Sequence, residues 1–516
     1  MKIFFAASEC APFAKTGGLA DVVSALSQRL AQTGDDVRVI MPLYQDVAAR
    51  WREQTTHRLS FYVNLGWRRQ YCGIEELDYN GVKVYFVDNE YYFNRASLYG
   101  YGDDDGERYA FFCRAVLEAM PLLDFKPDVL HCHDWQSGMV PALLREQYGS
   151  ISFYKGIRTV FTIHNLQYQG VFGIGYVDDL MGFGAEKYTD DKLEFYGCTS
   201  FMKAGLVYSD AITTVSRSYA EEIQTAYFGE RLDGLLRARA ADLSGVVNGI
   251  DTNAYNPMTD TMIYKNFSAE TWKKDKAINK KALQSELGLE LNPNAPIICM
   301  ITRLSPQKGL DLVERVFDGI LREGVQFAVL GVGDERFVNF FAWSTWRYGG
   351  RVAMRNEMNE ALAHRIYASC DMLLMPSQFE PCGLAQMIAM RYGTVPIVRE
   401  TGGLRDTVLS YNEETGEGNG FTFFNYNAHD MLSVIARAVG FYRDNQEAWE
   451  TLVLRGMRGE YGWDQSAAKY QDIYRRLLAQ ENACADADAG AALEESLEAD
   501  LEALPEAVPE APAEED

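Results

Sequence analysis

Residues 15–21 read Lys-Thr-Gly-Gly-Leu-Ala-Asp, and residues 400–406 read Glu-Thr-Gly-Gly-Leu-Arg-Asp. Each stretch follows an apolar run and precedes a segment of helical periodicity. That is where an open α/β sheet meets its ligands, at the carboxyl ends of its strands. A single copy would mean only that glycine permits a tight strand-to-helix turn. Two copies, one toward each end of the chain, predict two domains of the same kind facing one cleft.

Working outward from the first copy, short β-rich runs at Lys2–Ala7, Asp36–Met41, Lys83–Val87, Asp128–His133, Thr159–His164, Ala211–Val215 and Gly245–Asn248 alternate with helix-like segments. In one of these, Leu19, Val22, Val23, Leu26 and Leu30 share a helical face. A second series surrounds the other copy. Strands are expected at Ile297–Thr302, Gln326–Leu330, Val352–Arg355, Met372–Met375 and Val395–Val398, between helices such as Leu310–Leu321, Ala361–Ser369 and Leu384–Tyr392. Strand–helix alternation means parallel sheets covered by helices, hence two doubly wound α/β domains. The Asn248-Gly249 turn and the polar stretch 251–276 place the boundary near residue 250.

The chain has 516 residues with 47% hydrophobic and 24% charged side chains, as expected of a multi-domain globular protein. No apolar run reaches the roughly 18–20 residues of a membrane span, and the opening Met1–Ala7 lacks the basic region of a signal peptide. The nine cysteines are scattered and never form a Cys-x-x-Cys pair, which argues against a disulfide framework or zinc ribbon and suggests a reducing compartment. Of the net charge of −24, thirteen units belong to 481–516, a stretch with no Lys or Arg; its Ala/acid/Pro composition predicts disorder. The mildly acidic remainder carries no basic stripe, so nucleic acid is not an expected partner.

Local positive charge must therefore meet any anionic ligand. The Gly17-Gly18 turn opens a helix whose N–H groups suit phosphate, with Lys15 adding a cation; neither a Walker A nor a Gly-x-Gly-x-x-Gly pattern is present. Arg303 and Lys308, five apart across a Pro-containing turn, can converge on a diphosphate. Asp134, after His131-Cys132-His133, and His164, at the next strand's end, are candidates to grip a hydroxylated substrate or stabilise a developing cation. A metal reading of His131 and His133 fails for want of a third ligand at recognisable spacing. Glu380, in Phe379-Glu380-Pro381-Cys382-Gly383-Leu384, can accept hydrogen bonds from sugar hydroxyls.

Taken in order, Lys15–Asp21, His133–Gln136, His164-Asn165, Val247–Asp251, Arg303–Gly309, Phe379–Leu384 and Thr401–Leu404 resemble the bacterial glycogen synthases and plant starch synthases over residues 1–478. The resemblance implies a retaining glycosyltransferase of GT-B architecture, in which two Rossmann-like domains (1–249 and 250–458) face a cleft, a C-terminal helix (459–480) crosses back, and an acidic tail (481–516) follows. It implies transfer of glucose from ADP-glucose to the non-reducing 4-hydroxyl of an α-1,4-glucan in the cytoplasm, with no metal, no cofactor, no nucleic acid and no membrane span. Asp134, His164, Glu380, Arg303 and Lys308 would form the reaction centre. Lys15, Gly17, Gly18, Asp21, Asn248, Gln307, Cys382, Gly383, Thr401, Gly402 and Gly403 would contact the donor. Two positions depart from related transferases: Ile388 stands where a second acid of a Glu-x7-Glu pair would be, and Met358 replaces the tyrosine that commonly stacks on adenine. A UDP-glucose-dependent transferase, a nucleotide-sugar epimerase and a catalytically silent glucan-binding protein are the alternatives.

Overall fold

The computed structural model describes residues 1–480. The acidic tail, with its expected disorder, lies outside the described residues. The first half contains β1 (Lys2–Ala6), β2 (Asp36–Pro42), β3 (Thr56–Leu65), β4 (Arg68–Tyr79), β5 (Val82–Asp88), β6 (Val129–His133), β7 (Arg158–Ile163), β8 (Val171–Gly173), β9 (Glu194–Phe195), β10 (Cys198–Ser200), β11 (Ala211–Thr214) and β12 (Leu243–Gly245). Nine of them form one sheet in the order β12-β11-β7-β6-β1-β2-β5-β4-β3, parallel except where β4 pairs antiparallel with β5 and β3. The second half contains β13 (Ile297–Ile301), β14 (Gln326–Leu330), β15 (Val352–Arg355), β16 (Met372–Met375), β17 (Val395–Arg399) and β18 (Phe421–Phe423). Their order, β15-β14-β13-β16-β17-β18, is all parallel and is the 3-2-1-4-5-6 order of dinucleotide-binding sheets.

Both sheets reverse direction beside their first strand: β6 and β2 flank β1, and β16 and β14 flank β13. Loops on either side of such a reversal splay apart and leave a crevice at the strands' carboxyl ends. In each half the crevice is bordered by the loops after the first strand and after its neighbour across the reversal. These carry Lys15–Asp21, Asp134, Arg303–Gly309 and Phe379–Leu384, whereas His164 follows β7 and Thr401–Leu404 follows β17.

Each sheet is sealed by helices whose apolar stripes face it. The helix Gly18–Gln32 buries Leu19, Val22, Val23, Leu26 and Leu30, and Asp21 and Arg29 at its two ends complement its dipole. The final helix, 464–480, places Ala467, Tyr470, Ile473, Tyr474 and Leu477 in the core of the first half, although it follows the second half in sequence. One local reading needs correction, and three features go beyond what the sequence was read to show. The strand expected at Gly245–Asn248 ends at Gly245, because the chain there turns toward the second half. The hairpin β3–β4 and strand β18 were not anticipated. Nor was the small antiparallel sheet β8-β10-β9, built from strands of two or three residues that leave no periodicity to read.

Candidate active site

A cavity of about 650 Å³ opens between the carboxyl ends of the two sheets. Lys15, Gly17, Gly18, Asp21, Asp134 and His164 line one wall; Arg303, Gln307, Lys308, Glu380, Cys382 and Gly383 line the other, and Asn248 stands at the crossing. The chain therefore brings thirteen of the sixteen expected site residues together around one cavity.

On the first wall, Asp134 follows β6 with φ +54°, a left-handed backbone that costs a non-glycine residue about 1–3 kcal/mol. The turn is held from both sides: its N–H donates to the Thr162 carbonyl (3.0 Å), and its Oδ1 accepts the His164 N–H (2.7 Å). Burial raises its carboxyl pKa to about 7, against the backbone hydrogen bonds that favour the ionised form. The His164 imidazole, also buried, is pushed down to about 3 by desolvation and is neutral at physiological pH. Glu9, which the sequence reading passed over, fixes the loop ahead of the first helix: it accepts from Thr16 Oγ1 and from the Tyr99 hydroxyl, both at 2.7 Å. Lys15 pairs with Asp21 at 2.7 Å, and both side chains are partly exposed. Exposed pairs contribute about 0–1 kcal/mol, so an anionic ligand can readily take Asp21's place.

The second wall is built on a glycine. Gly309 has φ +70°, and a Cβ there would stand 2.0 Å from the Pro376 carbonyl oxygen. This close approach draws the turn Pro306–Lys308 against the loop after β16, and the Gln378 N–H donates to the Gln307 carbonyl at 2.8 Å. Lys308 Nζ consequently lies 2.6 Å from Glu380 Oε2, which also accepts from Ser377 Oγ at 3.0 Å. Arg303 is exposed, and its guanidinium has no partner among the described residues. Cys382 is buried against Asn248 and its thiol is pushed up to about 12, so it is a packing residue rather than a nucleophile.

Thr401, Gly402 and Gly403, expected to contact the donor, are not among the residues lining the cavity. Glu222 of the first half accepts from the Gly402 N–H (2.9 Å) and Thr401 Oγ1 (3.0 Å), and so occupies the helix N-terminus where an anion was expected. The Gly403 N–H donates to the Glu380 carbonyl at 3.0 Å, so this loop supports Glu380 from behind. In return, Asp406 accepts from the Arg217 N–H (2.6 Å) and Ser218 Oγ (2.6 Å) at the start of the helix Arg217–Glu222. Each of these two short helices is thus capped by an acid from the other half.

The remaining motifs serve structure. His131 commits Nδ1 to the Tyr474 hydroxyl (2.8 Å) and Nε2 to Thr162 Oγ1 (2.6 Å), leaving neither nitrogen for a metal. No group of three or more potential metal ligands occurs among the described residues, and the eight described cysteines are unpaired. Met358 is 86% exposed and is not on the cavity wall.

Comparison with known proteins agrees with this fold. Residues 2–238 match the starch synthase catalytic domain, and residues 286–444 match the glycosyl transferases group 1. Glycogen synthases of Geobacillus thermodenitrificans and Geobacillus stearothermophilus are each 56% identical over 481 residues, covering 93% of this chain and 99% of the relative. Among solved structures, the catalytic domain of starch synthase IV from Arabidopsis thaliana, bound to ADP and acarbose, aligns over 93% of this chain and 99% of its own. Its TM-score is 0.86 at 33% identity. Sucrose-phosphate synthase from Thermosynechococcus elongatus aligns over the same share of each chain with TM-score 0.58 at 17% identity, a likeness of fold alone.

Proposed function

The chain belongs to the glycogen synthase family of glycosyltransferases, and from that membership we propose that it moves glucose from ADP-glucose to the non-reducing 4-hydroxyl of an α-1,4-glucan with retention of configuration. The observation that carries the reading is the single cavity in which the unpartnered Arg303, the Lys308–Glu380 pair, Asp134 and His164 meet. Arg303 and Lys308 hold the diphosphate and stabilise the charge that develops on it as the glycosidic bond breaks, with Lys15 and the Gly17-Gly18 turn facing it from the opposite wall. Gln307, Asn248, Cys382 and Gly383 shape the floor of the donor site. Once Lys308 turns to phosphate, Glu380 is released to accept hydrogen bonds from the donor glucose. Asp134, ionised, stabilises positive charge at the anomeric carbon, and His164 faces the same sugar.

A neighbouring groove of about 500 Å³ shares Trp135 and Tyr168 with the cavity and continues past Gly170, Phe195 and Arg231. Aromatic faces leading to a reaction centre suit the apolar faces of consecutive glucosyl units, so we assign the acceptor to this side. The reaction needs no cofactor, since the activated sugar supplies the energy of transfer. No helix among the described residues is long and apolar enough to cross a membrane, and we place the enzyme in the cytoplasm with its soluble donor.

Incubation with labelled ADP-glucose or UDP-glucose and an α-1,4-glucan tests the reading. Label should enter polymer from ADP-glucose in preference to UDP-glucose. Release of free glucose or an epimerised nucleotide sugar without chain growth would refute it.

A further inference from the structure

A buried line of histidines runs from the C-terminal helix to the cavity wall. His131 is anchored at both nitrogens by Tyr474 and Thr162. His133, two residues along on the same face of β6, lies with its ring 4.2 Å from that of His131 and stacks on Phe5 at 5.2 Å. Its Nδ1 is 3.0 Å from Nε2 of His164, while its own Nε2 is buried with no hydrogen-bond partner. His164 makes its ring hydrogen bond through Nε2, so Nδ1 is the nitrogen left for the cavity that the residue lines.

Burial keeps His133 and His164 neutral, so one proton is shared across the contact between them. Two arrangements are possible. If His164 donates, His133 must carry its proton on Nε2, as a buried N–H with no acceptor, and His164 shows the cavity a bare nitrogen. If His133 donates, its unpartnered Nε2 is only an unused acceptor, and His164 carries its proton on Nδ1. Orphaned buried donors are rarer in proteins than under-used acceptors, which selects the second arrangement.

We propose that His133 is a positioning residue: by donating from Nδ1 it locks His164 in the Nδ1–H tautomer, so that the cavity wall presents a hydrogen-bond donor to an oxygen of the transferred sugar. The proposal rests on the reading of His164 as part of the reaction centre, and its test separates the two. The imidazole nitrogens of the six histidines can be labelled with ¹⁵N and His164 assigned through His164→Asn, because protonated and bare ring nitrogens differ widely in chemical shift. In the ligand-free wild type, Nδ1 of His164 should be protonated and Nε2 bare. His133→Asn, whose amide N–H reaches the place of Nδ1–H, should keep that signature and a kcat within a few-fold of wild type. His133→Phe keeps the ring stacked on Phe5 but removes the donor; it should show a mixture of His164 tautomers. Its kcat should fall by roughly 10²-fold with little change in KM for ADP-glucose, the effect of losing one oriented donor. A bare Nδ1 in the wild type would overturn the proposal, as would wild-type kcat in a folded His133→Phe. If the Phe variant does not fold, the wild-type spectrum and the Asn variant decide. A wild type with the expected spectrum but no glucosyl transfer would refute the functional reading instead.

Discussion

The two Thr-Gly-Gly-Leu loops share their sequence and differ in almost every physical respect. Around Gly17 and Gly18 nothing stands within 4 Å of where a Cβ would be, the second of the pair is exposed, and both line the cavity. At Gly402 a Cβ would meet the Glu380 carbonyl oxygen at 2.0 Å, and at Gly403 the Cys382 carbonyl oxygen at 2.0 Å. The second pair is glycine because the protein's own backbone packs against it, whereas the first leaves open space that the proposed donor could approach. The aspartates that end the motifs diverge likewise. Asp21 pairs with Lys15 inside its own loop, whereas Asp406 caps a helix of the other half. The repeat does not mark equivalent topology, since the first copy follows β1, the first strand of its sheet, and the second follows β17, the fifth of its own; what faces each copy decides its role.

The largest effect that could break this contrast is on turnover. Lys15→Ala should lower kcat by roughly 10²–10³-fold with little change in melting temperature, because it removes charge facing the departing diphosphate. Alanine at Glu400, the corresponding position of the second loop, should leave kcat within a few-fold. Steady-state kinetics on folded protein would compare them, and equal losses would erase the distinction. Next in size is stability. Gly403→Ala should destabilise by about 1–3 kcal/mol through overpacking, and Gly402→Ala by at least as much since φ there is +45°. Gly17→Ala should stay within about 0.5 kcal/mol of wild type and act on donor KM instead. Thermal or denaturant unfolding reads both.

Removing the reciprocal caps should have a smaller effect. Glu222→Gln or Asp406→Asn should each cost about 1 kcal/mol, as for other lost helix caps, visible as a lower denaturant midpoint. The smallest expected effect concerns pH. Because burial raises the Asp134 pKa to about 7, its proton leaves only as pH rises through that value. If the ionised form supports transfer, kcat should rise by about twofold between pH 7 and 8 as ionisation nears completion, and Asp134→Asn should lose this limb. Stability has the opposite sensitivity in acid. His131, His133 and His164 are all held neutral by burial, so the unfolded chain binds more protons than the folded one once pH drops below about 6.5. Stability should fall steadily from there downward.

Much of this was legible because strand periodicity and strand-end motifs coincide. The segments ending at Ala6, His133, Ile301 and Met375 could be read from β-rich runs, and the residues just past them became the cavity walls. Glu9 escaped notice because a lone carboxylate carries no spacing signal; its importance comes from Thr16 and Tyr99, which the fold brings to it. The contact of the Thr401-Gly402 turn with Glu222 could not be read from sequence, because Glu222 lies 180 residues from Gly402. Sequence shows that an anion can sit on a helix N-terminus, but not that the protein supplies its own. His133 was legible as a residue but not as a function, since a histidine's tautomer depends on the three-dimensional neighbours of both nitrogens.

The central claim is that one site is assembled from two walls, Lys15 on the first and Arg303 on the second, acting on the same leaving group. A double-mutant cycle on kcat/KM for ADP-glucose, using Lys15→Ala, Arg303→Ala and the double variant, tests it most directly. The account predicts a coupling of about 0.5–3 kcal/mol, the range for residues that share a partner. Losses that simply add would mean that the two cations do not face the same group, and would contradict it.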